Sequence, residues 1–134
     1  MVDLDRTVEL SECLRAATAD RSPVEIVGGG TKAFYGRTTR ASRRCPVDGH
    51  RGILHYDPAE LVLTARGGTP LAEVEAALAA KGQHLPFEPP HFGADATLGG
   101  TIAAGLAGPA RMAAGPVRDY VLGTRVLTGD GRVL

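Results

Sequence analysis

Two clusters of glycine, each beside a hydroxyl or an amine, hold the residues of this sequence best suited to chemistry. In VEIVGGGTKAFYG, residues 24–36, Gly28, Gly29 and Gly30 follow a short apolar run and lead directly into Thr31 and Lys32. Successive glycines let backbone N–H groups converge on an anion, and a threonine hydroxyl and a lysine ammonium can serve the same end. In ATLGGTIAAG, residues 96–105, Thr97, Gly99 and Gly100 precede residues small enough for the backbone to lie against a ligand. Each cluster also has a plainer reading. Glycines after a strand often only turn the chain, and small residues often serve close helix packing. Together, two such loops would suit a diphosphate gripped from opposite sides.

Familiar nucleotide motifs fit less well. Gly28, Gly30 and Ala33 match G-x-G-x-x-A, and Asp48 lies about twenty residues on, where a ribose ligand would stand. That motif requires a helix to open at its third position and a parallel sheet around it, and TKAFYGRTTR has no apolar stripe for such a helix. An NAD-binding Rossmann module is therefore the weaker alternative. The order Gly-Thr-Lys also fails the P-loop pattern.

The elements that must position these glycines are legible in part. Leu10, Cys13, Leu14 and Ala17 recur at helical spacing, which predicts a helix over 7–20, closed by Ser22-Pro23. VEIV reads as a buried strand with the glycines at its C-terminal end. Residues 31–51 read mostly as loop, with a short strand near CPVDG. GILHYD and LVLTARGG predict two strands. TPLAEVEAALAAKGQ predicts a helix with Thr69 as N-cap, Pro70 at its first position, Leu71, Val74 and Leu78 on one face, and Gly82 at its end. A Pro-stiffened loop follows, then small residues. RDYVLGTRVLTGDGRVL predicts a β-hairpin with Asp130-Gly131 in the turn, cut at its return strand, as expected of the front part of a longer protein.

Composition narrows the function classes. The 134 residues suit a single domain with an aliphatic core, since only 4% are aromatic and none is Trp. Fifteen basic residues balance 15 acidic ones, so no long-range field gathers nucleic acid or an anionic membrane. Cys13 and Cys45 form no close-spaced pair and point to a reducing, cytoplasmic setting. No run is long and apolar enough to span a bilayer. Cys45, His50 and His55 match no closed zinc spacing, so no metal is expected. Arg37, Arg40, Arg43 and Arg44 make a local basic loop, which is either simply solvated or able to dock on an acidic partner face.

Taken in order, VEIVGGGTKAFYG, the segment 52–93 with EPPHFG, and the segment 96–131 with TLGG and VRDYVLGTR resemble the FAD-binding subunits of bacterial glycolate oxidases. These belong to the vanillyl-alcohol-oxidase (PCMH-type) flavoprotein family. The resemblance covers nearly the whole chain. It implies an α+β fold, a PCMH-type FAD-binding domain of two α/β lobes, the first about 1–68 and the second, incomplete, about 69–134. Carried over, Gly28, Gly29, Gly30, Thr31 and Lys32 would form the first pyrophosphate loop and Thr97, Gly99 and Gly100 the second. Residues 88–93 would line the flavin side, with His91 its best hydrogen-bonding group and Gly93 at its end. Gly105 and Gly115 would lie where the chain passes the cofactor, and Asp119 would be structural.

Some relatives attach flavin through a histidine near the first loop. Residues 28–36 contain none, so FAD would be non-covalent. The resemblance further implies oxidation of glycolate to glyoxylate in a complex with a larger flavin subunit and an iron–sulfur subunit, any contact with the inner face of the membrane running through those partners. No His or Tyr is marked as the substrate base, so the catalytic residues are unassigned. The non-enzymatic alternative is an assembly subunit that keeps a degenerate flavin fold. Replacing Gly29 by Val is expected to weaken FAD binding more than folding.

Overall fold

In the computed structural model, which describes residues 3–134, two small sheets and short helices are joined by long glycine-rich loops. Helix α1, Thr7–Ala19, buries Leu10 and Ala17 and packs on β2, Arg43–Pro46. It ends where Arg21 turns to a positive φ of 51° and Ser22 N–H reaches back to the Ala17 carbonyl at 2.9 Å. Strand β1, Val24–Val27, runs parallel to β2 with Val24 opposite Arg43 and Val27 opposite Pro46. The parallel crossover is made by residues 28–42, which contain no helix. Parallel pairing usually uses a helical crossover, so this connection leaves the glycine loop free of helical hydrogen bonding.

Strands β3, Ile53–Asp57, and β4, Val62–Ala65, pair antiparallel with an irregularity at Leu54. Asp57 Oδ1 accepts the Ala59 and Glu60 N–H groups and so shapes the turn between them. Helix α2, Leu71–Ala79, buries Leu71, Val74 and Leu78, the face expected from their spacing. Its end is a Schellman motif: Gln83 N–H meets the Leu78 carbonyl at 3.0 Å, Gly82 N–H meets Ala79 at 2.9 Å, and Gly82 takes a φ of 69°.

The small-residue stretch becomes α3, Leu98–Ala104, followed by α4, Arg111–Ala114, and a 3₁₀ turn, Val117–Tyr120. Phe87, Ala107 and Val117 form a buried cluster with Leu85, Ile102 and Val121 packed against it. Among the described residues no helix is long and apolar enough to cross a membrane.

Five local expectations change. β1 is a strand but not a buried one, since Ile26 is 66% exposed and its other residues are only half-buried. β2 starts two residues before CPVDG. Thr69 is fully buried and caps nothing: its Oγ1 accepts the Gly52 N–H at 2.9 Å and donates to the Gly52 carbonyl at 3.2 Å, latching the start of α2 to β3. Pro70 is then the N-cap and not the first helical residue. The long hairpin shrinks to its tip, where Val126 and Leu134 exchange N–H···O bonds and Gly131, at φ 74°, closes the turn on Thr128. Its expected first arm is instead a 3₁₀ turn, because the Tyr120 ring stacks on Phe87 at 5.7 Å and its hydroxyl donates to the Ala114 carbonyl.

Candidate functional site

The first glycine loop leaves β1 and makes one tight turn, with Ala33 N–H on the Gly30 carbonyl at 3.2 Å and Tyr35 N–H on Lys32 at 2.9 Å. No helix opens at residue 31, and β3 and β4 are antiparallel. The helix that a Rossmann module requires is therefore missing, and although β1 and β2 are parallel the pairing is not parallel throughout. Among the described residues, the five consecutive amides of Gly28 to Lys32 donate to no protein acceptor. Gly30 adopts a left-handed φ of 69° with open space where a Cβ would stand. This is the backbone state that turns neighbouring N–H groups to one side.

The second glycine segment lies directly against the first. A Cβ on Gly28 would come within 2.6 Å of Thr97 Oγ1, one on Gly29 would fall on the Asp95 carbonyl oxygen, and one on Gly93 would reach Thr31 Cγ2 at 3.1 Å. Thr97 is buried and caps α3, its Oγ1 accepting the Gly100 N–H at 3.2 Å. The remaining amides at this helix start are also taken. Leu98 N–H donates to the Thr69 carbonyl at 2.9 Å and Gly99 N–H to Gly67 at 2.7 Å. Gly99 and Gly100 thus supply close approach and not open donors, while the Thr97 hydroxyl keeps its own proton free to donate.

In the sequence the pair Gly67-Gly68 marks only the end of a strand. Gly67 faces Gly99, whose Cβ would sit 2.8 Å from the Gly67 carbonyl oxygen, and a Cβ on Gly68 would collide with the Val47 carbonyl. The repeated Gly-Gly spelling was the available signal, but nothing in it says which loops meet.

Around this contact lie the other expected residues. His91 turns to α2, its Nε2 3.1 Å from Glu75 Oε1. Lys32 Nζ stands 6.0 Å from the centre of the Phe92 ring, and Phe92 meets Phe34 edge-on at 5.0 Å. Burial lowers the Lys32 pKa, and no acidic group among the described residues offsets it. Gly105, at φ 65°, ends α3, and Gly115, at φ 93°, ends α4 beside Asp119. Gly105 also borders a groove of about 440 Å³ lined by Ile102, Arg111, Val117, Arg118 and Val121. Among the described residues, no contact brings Gly115 to the first loop.

A sequence-family model described as "FAD binding domain" matches residues 2–134. This chain belongs to the FAD binding domain family. FAD is accordingly its cofactor. The domain is 52% identical over 132 residues to glycolate oxidase subunit GlcE of Escherichia coli, covering 98% of this chain and 37% of that protein. It is 32% identical to D-lactate dehydrogenase of Archaeoglobus fulgidus, covering 94% and 28% of the two chains. Subunit GlcD of the Bacillus subtilis glycolate oxidase is 28% identical, at 96% and 27% coverage. The solved structure of an alkyldihydroxyacetonephosphate synthase superposes with a TM-score of 0.74 at 21% identity, over 98% of this chain and 25% of that one. It shares the fold. The FAD-binding domain thus spans about a third of the length of the curated relatives it matches.

The residues of this FAD-binding domain fit such a cofactor. Open consecutive amides and a left-handed glycine are the donor set a diphosphate needs, and an unpaired cation stands beside them. The buried Thr101 hydroxyl, one helical turn after Thr97, is also without a hydrogen-bond partner among the described residues.

Proposed function

We propose that this chain is the FAD-binding part of a glycolate oxidase-like subunit, holding FAD non-covalently between the 28–32 loop and Thr97. The observation that carries the reading is the run of five amides, Gly28 to Lys32, without a protein acceptor and beside an unpaired lysine. Gly28, Gly29, Gly30 and Thr31 would orient the diphosphate. The Thr97 hydroxyl would donate from the facing segment, with Gly93, Gly99 and Gly100 letting the backbones approach. His91 and Gly93 would border the flavin side, and Gly105 and Gly115 the chain's passage along the cofactor. The division into lobes of about 1–68 and 69–134 puts one gripping segment on each.

Bound FAD supplies a two-electron acceptor, and the part left to these residues is to bind it, aim it and exclude water. The names of the relatives support a 2-hydroxy acid, glycolate by preference, as reductant. Two of those names are of subunits, which supports a hetero-oligomeric setting; in the proposed complex a larger flavin subunit and an iron–sulfur subunit would pass the electrons on. Catalysis would need those partners, since no side chain here is assigned as substrate base.

The test is the visible absorption of the purified chain after mixing with FAD and desalting. Flavin bands that remain with the protein and leave on acid precipitation are expected. A well-folded chain that retains none, both at 134 residues and when extended to the length of its relatives, would replace the reading with an assembly role.

A further inference from the structure

Lys32 and its aromatic neighbours do something that a diphosphate loop alone does not require. The Lys32 ammonium sits 6.0 Å over Phe92, and Phe92 and Phe34 form an edge-to-face pair with 83° between their planes. Both rings are turned outward, 66% exposed for Phe34 and 54% for Phe92. Phe92 is also held at a positive φ of 54°, a costly conformation for a bulky residue. The chain has three Phe, three Tyr and no Trp. Phe87 and Tyr120 stack on each other, and Tyr56 is bound to Gln83, so the aromatic surface beside the open amides is that of Phe34, Tyr35 and Phe92. An exposed aromatic pair next to a partly desolvated, unpaired cation is an arrangement that a ring with negative charge would complete.

FAD carries a ring system at each end of its diphosphate, and they differ in one respect. Adenine keeps its charge through the reaction. When a 2-hydroxy acid is oxidised, its α-carbon transfers a hydride to the isoalloxazine while the hydroxyl proton leaves to a base or to solvent. The ring thereby gains two electrons and one proton, and with them one negative charge.

We propose that Lys32, held over Phe92, faces the isoalloxazine and not the diphosphate, and that it favours the reduced, anionic ring. This rests on the FAD reading above and adds a role for one side chain. Gly28 to Thr31 hold the diphosphate through backbone N–H groups, while Lys32 is a positioning charge for the ring.

The experiment compares the FAD-reconstituted full-length chain with its K32M and K32R variants, measuring FAD and ADP affinity and the two-electron equilibrium against a reference dye. In K32M, ADP affinity is expected to hold, whereas the redox equilibrium moves about tenfold towards the oxidised ring, about 30 mV for two electrons. K32R should stay near the wild type in both. Weakened ADP and FAD affinity in K32M with an unchanged redox equilibrium of the bound flavin would overturn the proposal and return Lys32 to the diphosphate. A wild-type chain that takes up no FAD would instead overturn the functional reading on which it rests.

Discussion

Gly28, Gly29 and Gly30 are adjacent and identical in type, yet each is required for a different physical reason. Gly28 and Gly29 lie against Thr97 and the Asp95 carbonyl, while Gly30 faces open space in a left-handed conformation. The expectation that Gly29→Val spares folding therefore fails on the structure. Its side chain would occupy the volume of the Asp95 carbonyl, and a loss of about 3 kcal/mol or more is expected, read as a collapse of the urea midpoint. Gly30→Ala is the better probe of the loop. It should cost about 1–2 kcal/mol for the left-handed alanine, keep the fold, and still reduce FAD retention after desalting by re-aiming the amides.

Cys45 is a second case at this scale. Burial first, then the neighbouring Cys13 thiol, pushes its pKa up to about 11. At pH 8 it is an unreactive thiol, so labelling of Cys45 by an aromatic disulfide should follow the urea unfolding curve and not precede it.

At the scale of elements, helix ends show how far local signals reach. Gly82 closes α2 as its position implies, because a Schellman end is built from residues within one turn. Thr69 does not open it, because its hydroxyl found a partner 17 residues away on Gly52. Thr69→Val keeps the shape and removes both bonds, leaving the buried Gly52 N–H without a partner, while the Gly52 carbonyl keeps the Arg66 N–H at 2.9 Å. A cost of about 2 kcal/mol is expected from urea unfolding with an unchanged slope, and a neutral outcome would return Thr69 to a mere spacer. The β-hairpin shows the same limit. Its turn residues are legible from Asp130-Gly131, whereas the strand length depends on Tyr120, which Phe87 draws away.

Across the whole molecule, distant segments tie the chain's start to its middle and its end. Arg66, only 9% exposed in its side chain, pairs with Asp3 at 2.6 Å and Asp5 at 3.0 Å. Ser11 donates to the Gly131 carbonyl and Thr18 to Gly129, both at 2.5 Å, clasping the hairpin tip to α1. The first tie is pH-dependent. Hydrogen bonds from the Thr7 hydroxyl and amide, then the charges of Arg66 and His50, hold the Asp5 carboxyl down to about 2 from its ordinary 3.8. Because the folded value lies below the unfolded one, this stabilisation is complete above about pH 4 and is lost as pH falls through about 2. Thermal midpoints of the wild type and Asp5→Asn should differ at pH 5 and converge near pH 2. A gap that does not change with pH would show that Asp5 acts by shape alone.

The sequence by itself determined what short-range chemistry can determine. β1, the buried face of α2, the Gly82 end, the hairpin turn and the two glycine clusters all depend on residues within a few positions of one another, where propensity and periodicity act. It also determined the family, because the order of several moderately specific motifs excludes what each alone leaves open.

Only the tertiary structure decided which glycines are packed and which are open. That follows from backbones 30 to 70 positions apart coming into contact, as Gly29 does with Asp95 and Gly67 with Gly99. It decided as well that the amides of Gly99 and Gly100 are spent internally while those of Gly28 to Lys32 are not, since an N–H group is free only if no distant acceptor reaches it. The position of Lys32 over Phe92 is of the same kind: the two residues are 60 apart along the chain, and the meeting of the two loops sets them face to face.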